Sequence, residues 1–215
     1  GVQGRPRRGQ RMNIKDTPEQ WPVVTSDTLV RGRQVTVRTD KVRMPDGNLA
    51  EREVVLHPGA VAVLALDGTS QVLMIRQYRH AVNKLLWEIP AGLRDVAGEP
   101  LLATAQRELL EEAGYRARDW RVLADYYSSP GFTNERLRIF LARDLELVPA
   151  AERDFVPEDE ETQLVLTWLP LDEAVGKVLA GDLHNSAAAL GILAGYAARS
   201  RGYDRLRPAD VAEEQ

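Results

Sequence analysis

The string RELLEEAG, residues 107–114, constrains this chain more than any other stretch, because it asks one helix to serve two different surroundings. Leu102, Ala105, Leu109 and Ala113 recur at three- and four-residue spacing and form an apolar stripe that other structure must cover. Glu108, Glu111 and Glu112 leave the helix on another face. Positions three and four apart are neighbours there, and like charges cost roughly a few tenths of a kcal/mol per pair. Glu99-Pro100 suits the helix start, with proline in the first turn and an acid at the positive end of the dipole, and Gly114 suits its end. The carboxylates therefore gather near the negative end, where a helix built for stability alone would carry cations. Taken by itself, the string also suits a solvated acidic face helped by Arg107.

The flanking sequence sets the fold class. Residues 29–47, LVRGRQVTVRTDKVRMPDG, alternate apolar and polar side chains around Val35 and Val37 and reach the turn signal Pro45-Asp46-Gly47, which predicts a small N-terminal sheet element. The apolar run AVAVLAL at 60–66 predicts a strand, Asp67-Gly68 a hairpin-like turn, QVLMIRQYR at 71–79 a second strand, and LLWEIPAG a third, short strand ending at Pro90. After the helix, strands are expected around 122–127, 137–142 and 163–169, then helices over 171–180 and from about 185 to 199. Strands on both sides of one amphipathic helix, with more helix beyond, indicate a mixed α/β (α+β) layered domain. The stretch LHNSAAALGILAGYAARS is rich in small apolar residues and fits close helix packing or a subunit contact. At 215 residues the chain suits one sizeable domain with an accessory element. The expected division is a flexible arm over 1–20, an N-terminal strand element over 21–58, a main domain over 59–202 and a loose tail over 203–215.

Composition limits the chemistry. There is no cysteine, so disulfides and thiolate metal sites are excluded, and with only three histidines any metal must sit mainly among carboxylates. Oxygen ligation favours magnesium, manganese or calcium. The longest apolar runs are far too short to span a bilayer and no signal peptide is evident, so a cytoplasmic protein without membrane contact is expected. A net charge of −4 and a pI near 5.5 argue against a nucleic-acid surface. The arginine-rich first dozen residues are a local exception that reads as part of the flexible arm.

A glycine-containing loop runs into the helix from the preceding strand, and the combined segment 92–115 is GLRDVAGEPLLATAQRELLEEAGY. It resembles the Nudix box, the loop–helix signature of the Nudix hydrolase family. Glu99, seven residues, then Arg107, Glu108, Leu109, Leu110, Glu111, Glu112, Ala113, Gly114 and Tyr115 match the pattern. One departure stands out: six residues rather than five separate Gly92 from Glu99, which bears on the loop and on Glu99 but leaves the helix spacing intact. The resemblance implies a Nudix-type α/β/α sandwich with a mixed sheet and hydrolysis of a nucleoside diphosphate linked to another group. It also implies Mg²⁺, with Mn²⁺ as substitute, held by Glu108, Glu111, Glu112 and the Ala91 carbonyl, with Arg107 and Glu99 in supporting roles. Divalent ions on oxygen ligands neutralise pyrophosphate charge and activate the attacking water, which gives a reason for clustering mutually repelling carboxylates.

Three further segments resemble the ADP-ribose pyrophosphatase subfamily: Gln77-Tyr78-Arg79, the run from Trp87 to Gly92, and SSPGFTNER at 128–136, which places Pro130 sixteen residues after Gly114. The subfamily implies substrate contacts from Arg79, Glu88, Gly92, Pro130 and Gly131. Arg52 is a further candidate, contributed by a partner subunit, unless it is only a surface arginine. It also implies a homodimer built through the N-terminal strands, and a catalytic glutamate from the acidic segment VPEDEETQL at 156–164, where Glu160 and Glu161 are both candidates beside Glu112. The expected reaction is attack of a metal-activated water on the adenosyl-side phosphorus of ADP-ribose, releasing AMP and ribose 5-phosphate. GDP-mannose or a UDP-sugar is the alternative substrate, and a non-catalytic ADP-ribose-binding module the alternative class.

Overall fold

The computed structural model of the chain describes residues 13–153 and 164–213. In chain order the strands are β1 (Val23–Arg31), β2 (Thr36–Arg43), β3 (Leu49–Leu56), β4 (Ala60–Ala65), β5 (Gln71–Arg79), β6 (Lys84–Glu88) and β7 (Ala91–Leu93). Helix α1 (Leu101–Ala113) follows, then β8 (Tyr115–Tyr127), β9 (Arg136–Leu147), β10 (Val165–Pro170), α2 (Leu171–Ala180), α3 (Ser186–Arg199) and the short β11 (Arg207–Pro208).

All six residues of β4 are buried. Successive side chains of a strand point to opposite faces, so a strand covered on both sides reads as a continuous apolar run rather than an alternating one. Val61, Val63 and Ala65 pack with Ala105, Leu109 and Ala113 of α1. Ala62 and Leu64 enter a second cluster with Ala174 of α2 and Ala188 and Ile192 of α3. The small residues of α3 are there for close approach: a Cβ on Gly195 would overlap the side chain of Leu64. Of the two roles open to that helix, close packing against this sheet is the one the structure shows.

β4 lies in a five-stranded sheet of order β11-β8-β9-β4-β7, parallel to β9 and antiparallel to β7, while β8 and β9 are antiparallel. The mixed sheet between α1 on one face and α2 with α3 on the other is the sandwich expected. A second sheet has order β10-β5-β6 and a third β1-β2-β3. The third is the N-terminal element, with Pro45-Asp46-Gly47 at its second turn, where Gly47 takes a φ of +88° and Asp46 Oδ1 accepts from Asn48 N–H at 3.0 Å.

Three expectations are corrected. LLWEIPAG is not one strand: β6 pairs with β5, β7 pairs with β4, and the chain changes sheet at Ile89-Pro90. Proline has no N–H for a ladder, and here only its carbonyl is used, accepting from Val63 N–H at 2.8 Å. Pro100 is the extended cap residue before α1 rather than part of its first turn. The segment beyond Gly202, read as loose, is tied down: Arg207 and Pro208 pair with Val122 and Arg121, Arg138 Nη1 donates to the Val211 carbonyl at 2.6 Å, and Glu213 accepts from Arg94 at 3.0 Å. These are polar links to distant residues, which hydrophobic periodicity does not register. The expected strand over 163–169 is observed from Val165.

Leu109 is fully buried at the centre of the α1 contact. Leu109→Ala is expected to lower the unfolding free energy by about 2–5 kcal/mol, measured by urea denaturation of the full chain.

Candidate active site

The box helix meets β7 through its carboxylates. Ala91 N–H donates to Glu112 Oε2 at 2.8 Å, which joins the C-terminal half of α1 to the strand. One turn earlier, Glu108 is buried against Gly92, so closely that a Cβ at residue 92 would overlap the carboxylate. Glycine is required there for space. Arg107 supplies compensating charge: Nη1 donates to Glu108 Oε1 at 2.7 Å and to Glu111 Oε2 at 3.1 Å, while Nε and Nη2 donate to Glu99 at 3.4 and 3.3 Å. Glu99 also accepts from Thr104 Oγ1 at 2.8 Å, and Asp95 lies 3.7 Å from the same guanidinium.

The titration of these groups follows from that geometry. Hydrogen bonds from Arg107 and Thr104 hold the Glu99 carboxyl below its ordinary range. Burial works against the Arg107 charge, but its hydrogen bond with Glu99 and the fields of Glu108 and Glu111 outweigh burial and raise its pKa. Burial pushes Glu108 up to about 7, with Arg107 opposing. Burial pushes Glu112 up to about 8, opposed by the Ala91 N–H and reinforced by the field of Glu108.

Beside this cluster, Arg79 grips Glu88 with two parallel bonds, Nε to Oε1 at 2.9 Å and Nη2 to Oε2 at 2.7 Å. Glu88 is buried, and both members of the pair lie close enough to Glu112 to affect its titration.

Among the described residues, no three acidic or histidine side chains converge on one ion position. The cause is visible in the bonds: Arg107 engages Glu108 and Glu111, and a backbone N–H engages Glu112. The donor chemistry nevertheless fits a hard divalent cation, with oxygen only and two carboxyls, on Glu108 and Glu112, whose raised affinity for protons a cation would oppose. Glu108, Glu111 and Glu112 would hold it.

The chain matches the NUDIX domain family over residues 56–190. It belongs to the Nudix family. Residues 21–55 match a second family, the nucleoside diphosphate sugar hydrolase N-terminal domain. The ADP-ribose pyrophosphatase of Mycobacterium tuberculosis is 44% identical over 191 residues, covering 89% of this chain and 90% of that protein. The ADP-ribose pyrophosphatase of Bacillus subtilis is 32% identical over 169 residues, 79% of this chain and 89% of that one. The solved structure of an ADP compounds hydrolase has the same fold, with a TM-score of 0.70 at 22% identity, over 87% of this chain and 99% of that chain. Nudix hydrolases use divalent metal ions, in line with the oxygen donor set.

Of the residues singled out from sequence, the structure brings Ala91, Gly92, Glu99, Arg107, Glu108, Glu111 and Glu112 together, with Arg79 and Glu88 alongside. Ala91 is bonded there through its N–H, and Gly92 meets Glu108, which gives it a steric role next to the substrate role expected. The additional box residue is taken up in the loop before α1, where Gly98 has a φ of +79° and Glu99 N–H donates to the Val96 carbonyl at 3.2 Å. Glu99 still reaches Arg107.

Other candidates lie elsewhere. Arg52 is exposed on β3, donating to the Glu51 carbonyl at 2.8 Å. Pro130 lines a separate cavity of about 920 Å³ with Asp125, Tyr127, Arg136 and Arg207, and a Cβ on Gly131 would meet only open space. Glu160 and Glu161 fall outside the described residues. Sequence reasoning passed over Thr104, which bonds to Glu99, and Asp95, which lies near Arg107; a hydroxyl among the buried positions of α1 was the available signal for Thr104.

The raised carboxyls make the metal-free protein sensitive to pH. Glu108 and Glu112 keep their protons in the folded state up to about 7 and about 8, whereas an unperturbed glutamate at 4.5 has lost its own. Stability from this source is therefore full below pH 4.5 and is lost as the pH rises through those folded values. The melting temperature of metal-free protein is expected to fall between about pH 5.5 and about pH 8.5, with added Mg²⁺ restoring it most at the alkaline end, as read by calorimetry. Glu108→Gln and Glu112→Gln should flatten both trends.

Proposed function

We propose that this Nudix protein hydrolyses ADP-ribose to AMP and ribose 5-phosphate, using Mg²⁺ or, in its place, Mn²⁺, held by Glu108, Glu111, Glu112 and the Ala91 carbonyl. The observation that carries the reading is the pair of carboxylates, buried Glu108 and half-buried Glu112, set against β7 by Gly92 and the Ala91 N–H. Two relatives that match over most of their length bear the name ADP-ribose pyrophosphatase, and the N-terminal match is to nucleoside diphosphate sugar hydrolases.

When bound, the divalent ion neutralises diphosphate charge and lowers the pKa of water. The chain's own residues set the geometry. Arg107 orients Glu108 and Glu111 through hydrogen bonds from its Nη1, and Ala91 N–H holds Glu112. Glu88 fixes the guanidinium of Arg79 beside the cluster, where it suits phosphate or ribose oxygens. The oxygen of water bonds to the adenosyl-side phosphorus, the bond to the bridging oxygen breaks, and that oxygen leaves with ribose 5-phosphate. Glu160 or Glu161 takes the proton of the water in this reading.

Purified protein with excess Mg²⁺ should convert ADP-ribose to AMP and ribose 5-phosphate faster than it cleaves GDP-mannose or a UDP-sugar, as followed by chromatography. Glu112→Gln should lower turnover at least about 100-fold at saturating Mg²⁺. Preference for another nucleotide sugar would replace the substrate assignment and keep the box chemistry. No cleavage of any of them, with Mn²⁺ also tried, would replace hydrolysis with binding.

We also propose that the N-terminal sheet is a dimer interface. Every residue of β1 is exposed, including Val23, Val24, Leu29 and Val30, which are 47–57% exposed. A strand bare along its whole length, with large apolar residues on it, calls for a second surface. Leu29→Glu with Val30→Glu should convert a dimer into a folded monomer in sedimentation experiments. A wild-type chain that sediments as a monomer at micromolar concentration would sink the proposal.

A further inference from the structure

Gly114 ends α1 with a φ of +73°, a conformation that favours glycine, and its N–H bonds back to the Leu109 and Leu110 carbonyls. The residue meets a second constraint that the backbone angle does not explain. A Cβ at residue 114 would overlap the guanidinium of Arg153. Arg153 arrives from beyond β9, and its Nε donates to the Val148 carbonyl at 2.8 Å. Val148 is buried, and its own N–H donates to the Gly114 carbonyl at 2.9 Å. Helix end, Val148 and Arg153 thus form a closed set of contacts.

The electrostatics point the same way. The last turn of α1 contains no basic residue, yet it carries Glu111 and Glu112 together with the negative end of the dipole. The guanidinium of Arg153 supplies that end with a positive charge from outside the helix. Among the described residues its hydrogen bond runs to the Val148 carbonyl and not to Glu111 or Glu112, so it is not a rival for them.

We infer that Arg153 is a positioning residue for the box glutamates: seated on Gly114 and tied to Val148, it fixes the C-terminal end of α1 and with it the reach of Glu112 to Ala91. This rests on the reading of Glu111 and Glu112 as metal ligands. Arg107 acts from within the helix on the carboxylates themselves, whereas Arg153 acts on the backbone end that carries them. The box glycine is then required both for its φ and for the space that a guanidinium fills.

The test is Mn²⁺ binding to the full chain by titration calorimetry, well below the unfolding temperature, for wild type, Arg153→Ala, Arg153→Lys and Glu112→Gln, together with kcat and KM on the substrate the wild type cleaves. Arg153→Ala should weaken Mn²⁺ binding about 5- to 10-fold and lower kcat by a similar factor with KM nearly unchanged, and Arg153→Lys should recover part of both. Affinity and kcat within twofold of wild type, with only the melting temperature reduced, would make Arg153 a helix cap and nothing more, and overturn the inference. Tighter Mn²⁺ binding in Arg153→Ala would overturn it as well, by showing a competing charge. If Glu112→Gln leaves Mn²⁺ affinity unchanged, the metal assignment itself fails, whatever Arg153 does. A double-mutant cycle of Gly114→Ala with Arg153→Ala tests the contact: removing the guanidinium should make the alanine less damaging to the melting temperature, and strict additivity would contradict the packing.

Discussion

Arg107 lies at the centre of the structure's main electrostatic problem. Four acidic side chains, Asp95, Glu99, Glu108 and Glu111, lie within 4 Å of its guanidinium, which bonds to three of them. Glu108 is largely out of water, and an unpaired carboxylate in such a place either leaves or takes a proton. A planar fork with several donors can serve carboxylates on different sides at once, which a lysine ammonium at one point does less well. The same compensation joins Glu108 and Glu111 through one guanidinium nitrogen. Glu112 lies outside the fork's reach and depends on one backbone N–H from β7.

That dependence links the chemistry to the core. β7 pairs with β4, and β4 is held on one face by α1 and on the other by α2 and α3. Ala91 and Gly92 are therefore presented to the glutamates by a strand whose neighbour is buried on both faces. The change of sheet at Ile89-Pro90 contributes too: one side of the break leaves Glu88 on β6, gripped by Arg79, and the other side leaves Ala91 opposite Ala62. A two-residue interruption thus divides the segment between the ion pair and the carboxylate cluster.

The C-terminal segment adds restraint where the core adds none. Glu213 bonds to Arg94 in the loop that leads into α1, and Arg138, buried beside Asp125, reaches the Val211 carbonyl. Asp125 stays ionised below its ordinary range because the hydrogen bonds from Arg138 and Arg207 outweigh the effect of burial. The loop that takes up the additional box residue is thereby tied at Arg94 as well as at Glu99.

Much of this could be read from the order of residues alone, because the signals are local. Apolar spacing along 102–113 determined one helix and its buried side, the run at 60–66 determined a strand, and box spacing determined which glutamates share a helix face. What needed tertiary structure was every relation between residues distant in the chain. Nothing in the sequence says that Gly92 makes room for Glu108, that Arg79 is engaged with Glu88, that Arg153 fills the space over Gly114, or that a polar tail is anchored. Burial raises the carboxyls of Glu108 and Glu112 and long-range hydrogen bonds fix their directions, and both arise only when the sheet brings separate segments into contact. The sequence determined the carboxylate chemistry of this Nudix protein's box helix, and packing decided how deeply those side chains sit and what holds them.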